Sequence, residues 1–192
     1  MISKKIICIH LCVLALIVCC VFFNAIHSSF KMDDHDTFKD PKIINTNYFK
    51  YNWYPEPNRY LNLSIASEES SYRPVTNSIL SIQYHYFKRN VELYHYVSIS
   101  LFFVGGALVY FFVYMFSKDT LLALLSAVLF TVHPINGLAV NYVVASAYVY
   151  QLIMNLAVLV LFLRSIDSQK GGVAWGISLV FFVLSLGVHE TP

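Results

Sequence analysis

Asp33-Asp34-His35-Asp36 places three carboxylates and an imidazole in four consecutive positions. Two adjacent carboxylates can divide acid–base work: Asp33 or Asp34 takes a proton from an acceptor hydroxyl while its neighbour holds that acceptor or a cation. A divalent cation bound through oxygen and imidazole is the candidate cofactor for such a mixture, although three Asp and one His packed this closely form a weak metal signature. The plainer reading of the same residues is a solvated acidic turn or helix start.

Two further groups could act on an anion or a polar substrate. Ser71-Tyr72-Arg73-Pro74-Val75-Thr76-Asn77 fixes a guanidinium beside a proline. Arg73 held in that way can clamp a phosphate by charge-assisted hydrogen bonds, the alternative being an ordinary interfacial arginine. His133-Pro134-Ile135-Asn136 sets an imidazole and a carboxamide at a break inside an apolar run. Ionisable residues at such depth are functional candidates by default, and a histidine capping a helix end is the alternative. Asn141, Ser146, Gln151 and Asn155 read as one polar helix stripe, of the kind that more often joins helices than carries substrate. Glu190 is the last candidate, with simple exposure near the end of the sequence as its alternative.

The segments that must position these residues are apolar. The 192 residues are 57% hydrophobic and 12% charged, against about 25% charged in a soluble protein. A mean hydropathy of +0.59 arises because the apolar residues stand in blocks long enough to cross a bilayer. A formal charge of +2 with scattered basic residues excludes a nucleic-acid surface.

Residues 1–23 read as a first transmembrane helix, a signal-anchor whose apolar stretch from Ile6 to Phe23 is preceded by Lys4 and Lys5, which places the N-terminus in the cytoplasm; a cleaved signal peptide is the competing reading. The cysteines Cys8, Cys12, Cys19 and Cys20 all fall within it and read as small packing residues. Residues 24–93 form a long polar loop on the extracytoplasmic or lumenal side, with a glycosylation sequon at Asn62-Leu63-Ser64. Residues 94–192 hold membrane helices two to five. The second, from Tyr94 to Phe116, is rimmed by Tyr94, Tyr96, Tyr110 and Tyr114 as interfacial aromatics, and Gly105-Gly106 permits close helix contact. Leu121 to Leu163 is long enough for two spans but is divided unequally at His133 to Gly137. The first part, about 13 residues, makes roughly 20 Å of helix against a hydrocarbon core of about 30 Å. The break thus lies at membrane depth, where its backbone must be buried in protein or line a wet cavity. Val173 to Val188 begins the fifth span, and Lys118, Arg164 and Lys170 return to the cytoplasmic side. The fold class is all-α, a polytopic membrane protein of about five transmembrane helices.

In this order the residues resemble the N-terminal module of the membrane glycosyltransferases of the GT-C fold, in the transmembrane O-mannosyltransferase and tetratricopeptide-linked branch. The resemblance is carried by Asp33-Asp34, Tyr72-Arg73-Pro74-Val75-Thr76, Leu93-Tyr94-His95-Tyr96-Val97-Ser98, His133-Pro134-Ile135-Asn136 and Leu163-Arg164. It implies sugar transfer, with inversion, from a polyprenyl-phosphate donor to a hydroxyl acceptor on the extracytoplasmic face. Asp34 or Asp33 would deprotonate the acceptor, and Arg73 and His133 would balance the departing lipid phosphate. The partners implied are membrane lipid, the polyprenyl-phosphate sugar and other membrane protein chains.

The sequence also departs from the family. Leu138, Ser146 and Tyr148 stand where relatives carry Glu, Arg and Asp, and His189 stands in place of a lysine before Glu190. Family members continue through further spans and often a tetratricopeptide domain, so a fragment, one part of a split enzyme or a module kept for another purpose is expected. The alternative function is a non-catalytic membrane subunit that uses the degenerate module as a scaffold, its aromatic-rich loop suited to protein contacts. A transporter is the weaker third reading, since the spans carry almost no buried charge and no repeat symmetry.

Overall fold

The structure is a computed structural model that describes residues 4–31, 33–44, 53, 73–167 and 171–189. The sequon at Asn62 and the candidate Glu190 lie outside the described residues. Among those described the regular structure is helical throughout, without a strand. Helix α1 (Lys4–Phe22) runs into a 3-10 turn (Phe23–His27), followed by the short α2 (Asp34–Thr37) and α3 (Pro41–Ile44). Then come α4 (Pro74–Phe87), α5 (Val91–Ser117), α6 (Thr120–Val132), α7 (Asn136–Asn141), α8 (Ser146–Asp167) and α9 (Gly171–Ser185).

Among the described residues three stretches are long and apolar enough to cross a membrane: Lys4–His27, Val91–Ser117 and Ser146–Ile166. Helices α6 and α9 are also apolar but have 13 and 15 residues, short of the roughly 20 that a perpendicular crossing needs. The outer faces of the bundle are apolar. Leu16, Leu129, Val173 and Phe182 are all exposed, a surface that hydrocarbon solvates and water does not.

Local sequence explains the helix ends. Pro74 opens α4 at its first position, where a missing N–H costs nothing. The α5–α6 turn is made by Lys118, left-handed at φ 55°, and by Asp119, whose carboxylate caps α6 by accepting from the backbone N–H groups of Leu121 (2.8 Å) and Leu122 (3.2 Å).

Helix α5 is the centre of the packing, against α1, α6 and α8, while α9 packs on α8. In α1, Leu14, Val18 and Phe22 recur every four residues and form the face turned inward. Cys8, Cys12, Cys19 and Cys20 are exposed on the rest of the helix, which corrects their reading as packing residues. The tyrosines that rim α5 differ in exposure. Tyr94 and Tyr110 are buried in the bundle, and Tyr94 donates to the Lys88 carbonyl at 2.9 Å, whereas Tyr96 is exposed.

The glycine pair of α5 is where three helices converge. A Cβ on Gly105 would stand 3.3 Å from Leu152 of α8, and one on Gly106 would stand 3.1 Å from the Thr131 hydroxyl of α6 and 3.4 Å from Leu14 of α1. Ala123 and Ala127, fully buried on α6, keep the same interface thin. Close approach here replaces the hydrophobic drive that water would supply.

The break between α6 and α8 is longer than the sequence indicates. Helix ends at Val132, resumes for α7 only, and ends again until Ser146. Val140, Val143 and Val144 continue the apolar pattern through it, so composition alone does not reveal the second interruption. Asn141 belongs to α7 and bonds the Gly137 carbonyl, whereas Gln151 and Asn155 bond each other on α8, so the four polar residues do not make one stripe.

Gly106→Val is expected to lower the thermal unfolding temperature in detergent, at a cost of about 1–3 kcal/mol from overpacking. Gly176→Ala, where an added Cβ meets nothing within 4 Å, is expected to leave it unchanged or raise it. Equal effects of the two changes would contradict the described packing.

Candidate functional site

The acidic segment starts where the 3-10 turn ends and folds back over the helix break. Asp33 and Asp34 occupy the last position before α2 and its first position, and adjacent residues at a helix start diverge by about 100°. The two carboxylates accordingly meet different surroundings. Asp33 is exposed and Asp34 is fully buried.

The buried carboxylate is a tie between distant segments. One Asp34 oxygen accepts from the Val144 backbone N–H at 2.9 Å and the other from the Lys31 N–H at 3.0 Å. The first of these bonds spans 110 residues and satisfies a donor in the interrupted stretch between α7 and α8. Burial pushes the Asp34 carboxyl above its ordinary value, and the backbone donors and the nearby His95 pull it back only in part.

Apolar and aromatic packing holds the tie in place. Phe38 and Ile43 from the acidic segment pack with Leu80 of α4, Tyr94 of α5 and Val143 of the break. Phe38 stacks on Tyr84 at 5.9 Å between centroids, and Phe30 meets Tyr94 edge-on at 5.8 Å.

Tyr142 completes the exposed side. Burial, and after it the neighbouring Asp33 carboxylate, pushes the Tyr142 phenol up to about 12. Its own backbone N–H is fixed to the Leu138 carbonyl at 3.1 Å. Beneath Asp34, His95 is wholly buried with Nδ1 3.2 Å from the Val140 carbonyl. A carbonyl only accepts, so Nδ1 carries the proton. Nε2 has no hydrogen-bond partner among the described residues.

The remaining sequence candidates are placed elsewhere. Arg73 immediately precedes α4, at a junction pinned by Val75 N–H to the Gly187 carbonyl (3.0 Å) and by the Thr76 hydroxyl to the Val188 carbonyl (2.7 Å). The acidic segment packs near Leu80, about two turns or 10 Å farther along the same helix. His133 is exposed at the opposite end of α7 from Tyr142, its Nδ1 accepting from the Ile135 N–H at 3.3 Å. That is the local turn of a helix end. Asn136 donates its carboxamide to the Phe130 carbonyl and so caps the end of α6. His35 and Asp36 are exposed, Asp36 pairing with Lys39 at 3.0 Å.

Among the described residues no group of three or more His, Cys, Asp or Glu side chains is placed to hold a metal ion, so the acidic tetrad does not form a cation cage. The sequence alone assigns no role to His95 or Tyr142. A polar residue in an apolar helix was the available signal for His95. Nothing local distinguished Tyr142 among 14 tyrosines.

No protein-family model, curated protein or solved structure matches this chain.

Asp34→Ala is expected to expose residues 28–44 to hydrogen exchange and proteolysis, since it leaves two backbone donors without their acceptor at about 1–3 kcal/mol. The pH dependence has a defined sign. A carboxyl raised in the folded state binds its proton more tightly there than when unfolded, so its contribution to stability falls as pH rises. The stability of wild type relative to Asp34→Asn is expected to improve as pH is lowered toward the ordinary carboxylate range, and a change in the opposite direction in chemical unfolding would refute the assignment.

Proposed function

We propose that the chain is a GT-C-like membrane glycosyltransferase, or part of one, that transfers a sugar from a polyprenyl-phosphate donor to a hydroxyl acceptor on the extracytoplasmic face. In this reading five helices, α1, α5, α6, α8 and α9, cross the membrane, with the N-terminus cytoplasmic. The reading is carried by one observation: an exposed carboxylate, Asp33, is fixed at the end of the first long apolar helix by a buried neighbour tied to the break before α8. A base in that position meets an acceptor from the aqueous side and a lipid-linked donor from the membrane side.

Asp33 is then the base and Asp34 its anchor, because Asp34 is fully buried and committed to two backbone donors, whereas Asp33 is open to an incoming hydroxyl. The acceptor hydroxyl passes its proton to Asp33 while its oxygen bonds the anomeric carbon, and the bond from that carbon to the donor phosphate oxygen breaks. Arg73, at the positive end of α4, and His133 are the groups assigned to the departing phosphate.

The second reading, a non-catalytic membrane subunit, is favoured by Leu138, Ser146 and Tyr148, which stand where the resembled family carries charged residues. It uses the same tie as a scaffold.

Proteoliposomes containing the full chain, supplied with a polyprenyl-phosphate sugar and a hydroxylated peptide acceptor, separate the two readings. Transfer is expected to fall about 10²–10⁴-fold in Asp33→Asn, with the fold retained. Absence of transfer by wild type, with a stoichiometric membrane partner co-purifying, would establish the scaffold. The span count is checked independently by single cysteines in a cysteine-free background. Cysteines placed at 118 and 168 are expected to be shielded from an impermeant thiol reagent in intact cells, and one at 35 to be labelled.

A further inference from the structure

We propose that the turn between α4 and α5, with the groove beneath it, binds one anionic phospholipid, its phosphate held by Arg89 and Lys88 and one acyl chain lying along α5 from Tyr96 to Val104. Nothing in this site depends on sugar transfer; it requires only that α5 cross a bilayer.

Helix α4 lies across one end of the bundle. Its Val75 N–H and Thr76 hydroxyl bond the Gly187 and Val188 carbonyls just past α9, and Gln83 donates to the Tyr150 hydroxyl at 3.1 Å in the second turn of α8. Leu80 packs with Tyr94 in the first turn of α5. All of these contacts fall within about two turns of the ends of apolar helices, so α4 runs at the level where those helices leave hydrocarbon. Its outward residues suit that level. Ile82 is 43% and Tyr86 74% exposed, and Tyr96 follows on α5 at 50%, an apolar and tyrosine-bearing surface of the kind that settles among lipid headgroups.

Lys88, Arg89 and Asn90 join α4 to α5 and are all exposed. Their backbone is fixed: the Lys88 N–H bonds the Tyr84 carbonyl and the Asn90 N–H the Phe87 carbonyl, each at 2.9 Å, and the Lys88 carbonyl accepts from Tyr94. Lys88 stands at φ 53°, where glycine would be less strained, yet the position carries a cation. Its ammonium rests 5.7 Å from the centre of the Tyr84 ring. Arg89 has no ion pair among the described residues, and Glu92, the nearest acid in sequence, turns to His27 at 4.0 Å. Cations without an acid of their own, placed at headgroup level, meet the anion that level supplies, a phosphate diester, which a guanidinium grips through paired N–H bonds.

The apolar half of the site lies below the turn. A groove of about 300 Å³ is lined by Tyr96, Val97, Ser100, Leu101 and Val104. It begins five residues into α5, about 8 Å from the helix start, and follows the axis for about 12 Å. The Ser100 hydroxyl is turned back to the Tyr96 carbonyl at 2.8 Å, so its donor is spent and the wall takes hydrocarbon. Cations at the surface and an apolar groove beneath follow the order in which a phospholipid presents phosphate and chain.

Native mass spectrometry of the full chain in detergent, with phosphatidylglycerol or phosphatidylcholine added, counts bound lipid. One phosphatidylglycerol is expected to bind in preference to phosphatidylcholine. Lys88→Gln with Arg89→Gln is expected to weaken it about fivefold for each cation removed, whereas Lys4→Gln with Lys5→Gln, the same charge loss at the start of α1, leaves it within about twofold. Val104→Trp fills the groove and is expected to weaken long-chain phosphatidylglycerol while sparing a short-chain form. Equal loss in the two double variants overturns the proposal, because it reduces the effect to general attraction of an anionic lipid. Binding that inorganic phosphate displaces and Val104→Trp leaves intact overturns it too, in favour of a free-anion site. Arg89→Gln alone repeats the test if the double variant does not fold. A nitroxide at position 86 of cysteine-free protein in nanodiscs checks the level independently, and oxygen is expected to reach it more readily than a water-soluble nickel complex does. The reverse order places α4 in water, and shielding from both reagents places protein over it; either result overturns the site.

Discussion

Backbone that leaves a helix among apolar elements must find a partner for each N–H it uncovers, since neither packed side chains nor lipid can supply one. In this protein the demand falls on the stretch between α6 and α8. Most of its donors are met within a few residues, as with Asn136 to His133, Tyr142 to Leu138 and Ser146 to Val143. The Val144 donor is met by Asp34, from the far side of the chain. That one charge-assisted bond fixes the course of the acidic segment over the helices, and the aromatic packing around Phe38 and Tyr94 follows from it. It also explains why burial of the carboxylate is tolerated. The desolvation cost is offset in part by two donors and by His95, and it remains visible as a raised ionisation.

The same bond divides the acidic pair. Successive residues at the start of a helix point in different directions, so when Asp34 turns inward Asp33 must turn outward. Chemically similar neighbours thereby acquire opposite properties, one dry and committed, the other wet and accessible. A buried carboxylate with its lone pairs in use is a structural part, and an accessible one is a reagent. Which is which depends on a contact 110 positions away, so no local property of the sequence could assign the roles.

The helices themselves were legible. The apolar blocks at residues 6–23 and 94–116 coincide with α1 and α5 to within a few positions, and the Gly105-Gly106 pair does stand where helices meet. The break at His133 was legible too, because proline removes a donor and excludes the preceding residue from the helix. Its continuation through residues 142–145 was not, since Val143, Val144 and Ala145 are as apolar as the helix that follows. Tyrosine prefers the interfacial level of a bilayer, and within the bundle Tyr94 and Tyr110 also have partners that spacing does not encode, the Lys88 carbonyl and His10. The polar candidates fared according to reach. His133 and Asn136 bond within their own turn, as short-range spacing could indicate, whereas Asp34 and His95 draw their significance from contacts that spacing does not encode.

A site assembled on interrupted helix is mechanically unlike one placed on a helix face. Residues on α5 or α8 are held by a full ladder of backbone bonds, so removing one side chain leaves their position almost unchanged. Residues 142–145 have no such ladder, and they keep their place through a carboxylate above, a histidine-bonded carbonyl at Val140 and apolar contacts of Val143. Loosening any of these moves the stretch that accepts the Asp34 tie. The geometry of the exposed carboxylate is thus only as rigid as the dock formed by Asp34. His95 strengthens that dock in two ways, by bonding the carbonyl that precedes the break and by attracting the buried carboxylate that closes it. The acidic segment and the interrupted helices therefore form one cooperative unit, and the accessible carboxylate is the part of it that faces solvent.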